Sequence, residues 1–256
     1  MARRTLMLDA QGPQVVDGRH VRAMAFDPVR KALIGDVLGR RGLSGGTALV
    51  VGGRYSPLTR IFRDHGFAVT GVDPSADATR IARETIAGVQ FESAPADALG
   101  LPRQQFDVVY CADTVEVVKD LSAVLAELAA VLRPGGVLIL DTVTDTFVAR
   151  LVYLFAFRRF PLTRIMPAGR YARANLRSPQ SLRDGCAAVG LTVDLVVGFE
   201  PASVGSLVKA VVGRRAGRLR DDELAGAADL RLSDPDHAPV VTYFAVATKA
   251  DPTPPV

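Results

Sequence analysis

The sequence of 256 residues contains only two cysteines, Cys111 and Cys186, and no tryptophan. Two cysteines make neither a disulfide framework nor a paired-cysteine metal motif, so their scarcity indicates a reducing compartment. No stretch reaches 18 consecutive apolar residues, which excludes the usual pattern of a membrane-spanning helix. The first residues include arginines but no apolar run, so they do not match a secretory signal. We therefore expect a cytoplasmic protein.

The sequence also has little excess of charge of either sign. The 31 basic and 27 acidic residues give a formal net charge of +4, and lysine occurs only at positions 31, 119, 209 and 249. A charge this small does not by itself indicate a nucleic-acid partner. The 48% of hydrophobic and 23% of charged residues are typical of a globular chain, which excludes a disordered, collagen-like or coiled-coil protein. The length predicts one elaborated domain over residues 1–256.

Short apolar runs and helical patterns alternate between residues 47 and 142. This alternation predicts a parallel sheet with helices on both faces. The predicted strands cover residues 47–51, 67–72, 89–91, 106–110 and 137–140, and helices are predicted to begin at Ser56–Pro57, Ser75 and Ser178–Pro179. The first helix is predicted to begin at Asp27–Pro28 and to end near Gly42. A loosely structured lead-in is predicted over residues 1–20.

Composition marks three further segments. Residues 1–41 hold the amino-terminal lead-in and its helix. Residues 146–178 are apolar and arginine-rich, and we expect them to form a lid-like segment; eight arginines and no acidic residue lie between positions 146 and 183. Residues 204–236 are predicted to be an insertion with a helical run. Apolar runs at 191–199 and 240–247 predict two late strands that complete the same sheet as an antiparallel pair.

Glycines and carboxylates follow several of the predicted strands. Gly52 and Gly53 end the first strand, and Asp73 ends the second, 21 residues after Gly52. Asp97 follows the third strand and Asp113 the fourth. Open parallel sheets bind ligands at the carboxyl ends of their strands. A carboxylate at the end of the second strand can accept both hydroxyls of a ribose, and one after the third can accept an adenine amine.

Four segments carry a family resemblance: VTGVDPS, ESAPADAL, FDVVYCADTVEVV and VLRPGGVLIL. In this order they resemble the class I S-adenosylmethionine (SAM)-dependent methyltransferases. The segments MPAGRY, SPQSL and GFEP narrow the resemblance to the 3-demethylubiquinone O-methyltransferase family. The resemblance implies an α/β fold with a Rossmann-like, seven-stranded sheet, mostly parallel with one antiparallel strand.

The same resemblance implies SAM as the cofactor. The implied acceptor is a hydrophobic small molecule, phenolic or quinone-like, methylated on oxygen. The residues expected to bind the cofactor are Gly52, Gly53, Arg54, Ser56, Asp73, Pro74, Ala96, Asp97, Ala98 and Cys111.

The loop after the first strand departs from the family pattern. The family usually has GxGxG there, because glycines let the backbone approach the cofactor closely. In this chain, Arg54 and Ser56 stand where the second and third glycines would be. Arg54 can either hold the methionine carboxylate or narrow the pocket. A rival hypothesis is therefore a methyltransferase-fold protein that performs cyclisation or rearrangement, or has a non-catalytic role. An NAD-dependent oxidoreductase is disfavoured because no GxGxxG motif occurs here.

A second departure concerns metal binding and the general base. The family pattern of an acid, two residues, glutamate and histidine corresponds to Asp113, Glu116 and Val117. Carboxylates alone still suit Mg²⁺, but a solvated or capping acid pair is the favoured interpretation, and no metal ligand is assigned. If the acceptor is a phenol or enol, a general base assists transfer. The candidates are His20, His237 and Asp113, each with a structural alternative.

Residues 147–164 combine apolar bulk with arginines. Phe147, Leu151 and Phe155 lie on one face of a predicted helix, and Arg158 and Arg159 follow them. Such a segment suits a lid, a homodimer contact or a peripheral contact with anionic lipid at the inner membrane face. Nucleic-acid binding needs exposed aromatic residues for stacking, whereas these lie among leucines and valines, so we expect no nucleic-acid partner.

Overall fold

The computed structural model describes residues 5–10, 14–52, 57–161, 163–167 and 169–251. The strands are β1 (Thr5–Leu6), β2 (Val15–Val16), β3 (Gly46–Val51), β4 (Phe67–Asp73), β5 (Gln90–Ser93), β6 (Phe106–Cys111), β7 (Leu132–Val143), β8 (Leu191–Pro201), β9 (Leu230–Leu232) and β10 (Thr242–Lys249). The helices are α1 (Gly18–Arg40), α2 (Leu58–Asp64), α3 (Ala76–Thr85), α4 (Leu121–Val131), α5 (Phe147–Arg150), α6 (Pro179–Ala187), α7 (Val204–Arg215) and α8 (Leu224–Ala228). A π-helical segment, Leu151–Ala156, continues α5, and 3₁₀ turns cover Arg173–Asn175 and Asp221–Glu223.

One eight-stranded sheet forms the centre of the described structure, with the strand order β5-β4-β3-β6-β7-β10-β8-β9. Strands β3 to β7 are parallel, and β10 runs antiparallel between β7 and β8. The predicted α/β class, the parallel core and the antiparallel late strand are confirmed. The predicted count of seven strands is wrong by one, because β9 adds a short edge strand that pairs with Phe199–Pro201 of β8.

The central strands are covered on both faces. Leu49 and Val50 of β3 point to opposite sides of the sheet and are both buried, in two separate apolar layers. A strand buried on both faces needs a continuous apolar run rather than an alternating one, which explains why these strands are visible in the sequence. Strand β7 is longer than predicted and includes Arg133–Gly136, which the sequence pattern assigned to a turn before the strand.

Helix α1 begins at Gly18 and not at Asp27–Pro28, so the predicted helix start is wrong. Asp17 caps the helix, because its side chain accepts hydrogen bonds from the amides of Arg19 and His20 at 2.9 and 3.3 Å. Pro28 lies inside the helix on its exposed side, where water can satisfy the carbonyl that proline leaves without a partner. Residues of α1 before and after Pro28 are buried, and their packing keeps the helix continuous past the proline.

Two of the predicted helix caps are present. Ser75 accepts a hydrogen bond from the amide of Ala78 at 3.2 Å, and Ser178 accepts one from Ser181 at 3.2 Å. Ser56 lies outside the described residues, and α2 follows Pro57 directly. Among the described helices, none combines the length and apolar character that crossing a bilayer requires.

Candidate active site at the carboxyl edge of the sheet

Gly52 follows β3 in a conformation that requires glycine. Its φ is +76°, and a Cβ placed there would lie 2.0 Å from Oγ1 of Thr114 and 2.4 Å from the carbonyl oxygen of Ala112. The ends of β3 and β6 therefore approach each other more closely than any side chain allows. Gly53, Arg54 and Ser56 lie outside the described residues, and their contacts with a cofactor stay predictions.

Asp73 ends β4 and is buried, and an arginine of α1 binds it. Nη1 of Arg19 lies 3.3 Å from Oδ1, and Nη2 donates to Oδ2. Nη2 of Arg19 also lies 3.3 Å from the carbonyl oxygen of Gly52. The carboxylate predicted to bind a ribose is therefore paired inside the chain.

The pKa of Arg19 reflects this pairing. Burial by itself would lower the pKa of the guanidinium, but Asp73, Asp9 and Asp17 raise it above its ordinary value. Sequence reasoning missed this contact, because Arg19 lies 54 residues before its partner in what was predicted to be a loose lead-in.

Asp113 follows β6 in a left-handed conformation with φ of +49°. Its Oδ1 lies 2.8 Å from Nη2 of Arg22, and its Oδ2 lies 3.0 Å from Nη2 of Arg30. Nη1 of Arg22 donates to Oε1 of Glu116 at 2.9 Å. Burial alone would raise the pKa of Asp113, but Arg22 and Arg30 lower it to about 2.

A third carboxylate, Asp141 of β7, completes this buried cluster. Arg30 donates to it twice, from Nε at 3.0 Å and from Nη2 at 2.9 Å, and the hydroxyl of Tyr110 donates at 2.7 Å. Burial raises the pKa of both Glu116 and Asp141, and the neighbouring carboxylates add to the shift against the opposing effect of the arginines. Three acids here share two arginines from α1, so their pKa values are driven apart.

This arrangement does not fit a divalent metal ion. The carboxylates of Asp113 and Glu116 are already occupied by guanidinium groups, and Val117 offers no ligand in place of the family histidine. Within the described part of the chain, no group of three or more histidine, cysteine, aspartate or glutamate side chains is arranged to hold a metal.

The loop after β5 carries the residues predicted to face an adenine. Ala96 is buried, whereas Asp97 and Ala98 are exposed. Pro74, directly after Asp73, is also exposed. Cys111 is fully buried at the end of β6, and burial raises the pKa of its thiol, so this cysteine is unsuited to act as a nucleophile.

The two candidate histidines lie in very different surroundings. His20, in the first turn of α1, is close to the 3₁₀ turn Asp221–Glu223, with Nε2 3.4 Å from Oδ2 of Asp221. His237 lies in a turn before β10, and 77% of its side chain is exposed, with Nδ1 3.8 Å from Oδ2 of Asp234. A general base must be held within hydrogen-bonding reach of the proton that it takes, and so exposed an imidazole is weakly positioned for that role.

An apolar cavity of about 250 Å³ lies next to the carboxylate cluster, along α1. Its walls come from α1, the π-helical segment, α7, α8, β8 and the start of β10, and include Val21, Arg22, Phe26, Val152, Tyr153, Phe157, Phe199, Leu207, Val211, Leu224, Val241 and Thr242. The guanidinium of Arg22 lies 5.1 Å from the centroid of the Tyr153 ring and 5.7 Å from that of Tyr171. Arg22 therefore borders both the carboxylate cluster and the cavity.

Comparison with known proteins places this geometry in a family. A family model described as "Methyltransferase domain" matches residues 22–196, which is more than half of the chain. The chain belongs to the SAM-dependent methyltransferase family. SAM is its cofactor, and its mostly parallel sheet shares the fold of the Rossmann-like SAM methyltransferases that it matches in structure.

Three proteins illustrate the similarity. The methyltransferase is 30% identical over 193 residues to "Ubiquinone biosynthesis O-methyltransferase" of Rhizobium etli, which covers 70% of this chain and 77% of the relative. A putative sarcosine dimethylglycine methyltransferase from Galdieria sulphuraria matches in structure with a TM-score of 0.61 and 16% identity, over 86% of this chain and 85% of that one. Magnesium protoporphyrin IX methyltransferase from Synechocystis, solved with bound S-adenosylhomocysteine, matches with a TM-score of 0.57 and 14% identity, over 94% of this chain and 89% of that one.

Proposed function

We propose that the methyltransferase transfers a methyl group to an oxygen of a hydrophobic small molecule of phenolic or quinone-like character. The observation that supports this most directly is the apolar cavity, which meets the carboxylate cluster at Arg22. The Rhizobium relatives are named O-methyltransferases, which supports oxygen as the accepting atom.

The carboxyl edge of the sheet suits the cofactor. Gly52 lets the ends of β3 and β6 come close together, and Asp73 supplies a buried carboxylate at the end of β4. We assign Asp73 to the ribose hydroxyls and the loop of Ala96, Asp97 and Ala98 to the adenine, with Pro74 and Cys111 as neighbouring walls. When bound, SAM supplies an electrophilic methyl group, so the protein's main task is to align the acceptor with it.

Arg22 is suited to orient the acceptor oxygen. Its Nη1 donates to Glu116 and to the hydroxyl of Tyr171. Among the residues that the structure describes, its buried Nε has no hydrogen-bond partner. A buried donor without a partner is costly, and an oxygen at this end of the cavity would satisfy it.

The carboxylates differ in their suitability as a proton acceptor. Arg22 and Arg30 lower the pKa of Asp113 and make it a weak base, whereas burial raises the pKa of Glu116 above its ordinary value and makes it the stronger base of the two. We therefore favour Glu116 over Asp113 for this role, with His20 as the alternative from the first turn of α1.

The test combines a binding and a transfer experiment. Titration calorimetry with S-adenosylhomocysteine measures the cofactor side, and methyl transfer to a panel of hydrophobic phenols measures the acceptor side. The variant Ala210→Leu fills the cavity wall on α7 and should lower transfer at least tenfold while leaving the affinity for S-adenosylhomocysteine unchanged. Ala126→Leu, at an exposed position of α4, is the matched control. Binding without transfer to any phenol would contradict the proposed acceptor and favour non-methylating chemistry.

We further propose that the mouth of the cavity faces a membrane. Phe147 is 77% exposed, and Leu151, Phe155 and Phe160 are each about half exposed. Val148 and Val204 are exposed as well and also line the cavity. The exposed Arg159 and Arg164 add positive charge beside this patch. An apolar rim with cationic residues suits anionic lipid, and an apolar acceptor could then enter directly from the bilayer.

Co-sedimentation with phosphatidylglycerol vesicles tests this contact, with phosphatidylcholine vesicles as the uncharged comparison. The protein should bind the anionic vesicles more strongly, and Phe147→Ser combined with Phe155→Ser should abolish binding. Leu232→Ser, at a partly exposed apolar site on β9, is the control. Equal sedimentation with and without vesicles would contradict the proposal, and self-association that the double variant removes would identify a homodimer contact instead.

A further inference from the structure

The first turn of α1 fills the place at which the ribose of a nucleoside cofactor would be bound. Both carboxylate oxygens of Asp73 contact the two terminal nitrogens of Arg19, and Oδ1 also accepts a hydrogen bond from the amide of Ser75 at 2.9 Å. Arg19 and Asp73 are both buried. A ribose that binds through its two hydroxyls needs the same two oxygens, so it and Arg19 compete for one carboxylate.

Arg19 reaches across two strand ends at once. Besides Asp73 at the end of β4, its Nη2 lies 3.3 Å from the carbonyl oxygen of Gly52 after β3. The guanidinium therefore lies against the carboxyl ends of β3 and β4, the edge at which an open parallel sheet receives its ligand.

We propose that Arg19 is an internal competitor for the cofactor, and that residues 5–10 and 14–19, the amino-terminal arm, form a lid that opens when the ribose displaces Arg19 from Asp73. This inference rests on the proposed role of Asp73 in binding the ribose. It predicts that the intrinsic affinity of the site for the cofactor is higher than the affinity measured for the native chain.

The contacts of the arm fit a lid with two positions. Nη1 of Arg19 lies 2.9 Å from Oδ1 of Asp9, so Arg19 keeps a carboxylate partner within the arm after it leaves Asp73. The amide of Ala10 donates to Oδ2 of Asp17 at 3.3 Å, and Asp17 also caps α1. The arm, the cap and Arg19 are thus one connected unit. A buried arginine without any acidic partner would be far more costly to release.

The lid also contacts the insertion. Nη2 of Arg214, on α7, lies 3.3 Å from the carbonyl oxygen of Val15, and His20 lies near Asp221. Arg22, one turn after Arg19 on α1, lines the apolar cavity. Displacement of Arg19 would therefore also affect Arg22 at the cavity wall. We expect the affinity for the cofactor and the affinity for the acceptor to depend on each other.

Titration calorimetry with S-adenosylhomocysteine tests the competition. Arg19→Gln removes the competing charge, and we expect it to bind the ligand at least about fivefold more tightly than the native chain, the lower end of ordinary coupling between sites. Asp73→Asn releases Arg19 too but removes the ribose acceptor, so its affinity should fall. Arg40→Gln is the matched control, because Arg40 pairs with Asp36 at 2.8 Å on the same helix but at an exposed position.

Amide hydrogen exchange of residues 14–21 gives a second readout that needs no ligand. Exchange should increase in both Arg19→Gln and Asp73→Asn, and not in Arg40→Gln. If the loss of the charge unfolds the chain, Arg19→Lys keeps the charge but loses the two-pronged contact, and it should give a smaller gain in affinity and a smaller rise in exchange.

The outcomes separate this inference from the proposed function. Native binding with equal or weaker binding by Arg19→Gln would overturn the competition and leave the cofactor role of Asp73 standing. Binding by Arg19→Gln alone would support the competition strongly. If neither folded protein binds S-adenosylhomocysteine, Arg19 is not what excludes the ligand, and both the competition and the proposed cofactor site fail.

Discussion

Helix α1 contributes to two different interiors. On the charged side, Arg19, Arg22 and Arg30 bind buried carboxylates at the ends of β4, β6 and β7. On the apolar side, Val21 and Phe26 border a cavity that Arg22 also lines. Charged contacts are directional, and each has a named partner, whereas apolar contacts depend mainly on buried area. The contacts of α1 therefore fix the carboxyl edge of the sheet more precisely than they fix the shape of the cavity.

The largest effect should come from Arg30, which is fully buried between Asp113 and Asp141. Arg30→Met leaves two buried carboxylates without this partner, so we expect the free energy of unfolding to fall by about 3–5 kcal/mol. Urea unfolding followed by circular dichroism measures it. Arg40→Met, on the exposed side of the same helix, should have almost no effect. Equal losses in the two variants would remove the distinction between the charged interior of α1 and its surface.

The ion pairs on the charged side should also make the free energy of unfolding depend on pH in the acid range. Asp113 has a folded pKa of about 2, below its ordinary 3.8, so its contribution is present above pH 4 and is lost as the pH falls through 2. From pH 6 to pH 2.5, the difference in unfolding free energy between the native chain and Asp113→Asn should shrink by roughly 1–2 kcal/mol. Urea titrations at both pH values measure this difference. If the free energies of unfolding of the two proteins fall by the same amount between pH 6 and pH 2.5, Arg22 and Arg30 do not hold Asp113 ionised.

The apolar side should respond more mildly. Val211 of α7 is buried at the cavity wall, and Val211→Ala should lower the free energy of unfolding by about 1 kcal/mol, since the removed methyl groups already border a void. The same urea experiment measures it. A loss as large as that of Arg30→Met would mean that the cavity is as tightly constrained as the carboxylate cluster.

The smallest expected effect is that of divalent metal. Because guanidinium groups occupy Asp113 and Glu116, addition of Mg²⁺ or removal of metal with EDTA should leave the affinity for S-adenosylhomocysteine unchanged. Calorimetric titration with Mn²⁺ should show no saturable binding. Saturable Mn²⁺ binding that Asp113→Asn abolishes would restore the family's metal site.

Local chemistry determined what the sequence by itself could establish. The buried strands β3, β4 and β6 follow from continuous apolar runs, and the caps at Ser75 and Ser178 follow from a hydroxyl next to a helical pattern. The positions of Gly52 and Asp73 at strand ends could be located for the same reason. Each of these features depends on neighbours within a few residues.

The tertiary structure alone decided which charges meet. Arg19 lies 54 residues from Asp73, and Arg30 lies 111 residues from Asp141. An ion pair leaves no periodicity in the sequence, so an arginine destined for a buried carboxylate looks like any surface arginine. The start of α1 at Gly18, the strand β9 and the cavity that α1 shares with α7 and α8 depend on packing between distant segments. The sequence determined the central strands, two helix caps and the strand-end residues, and only folding determined that arginines of α1 would pair with the carboxylates among them.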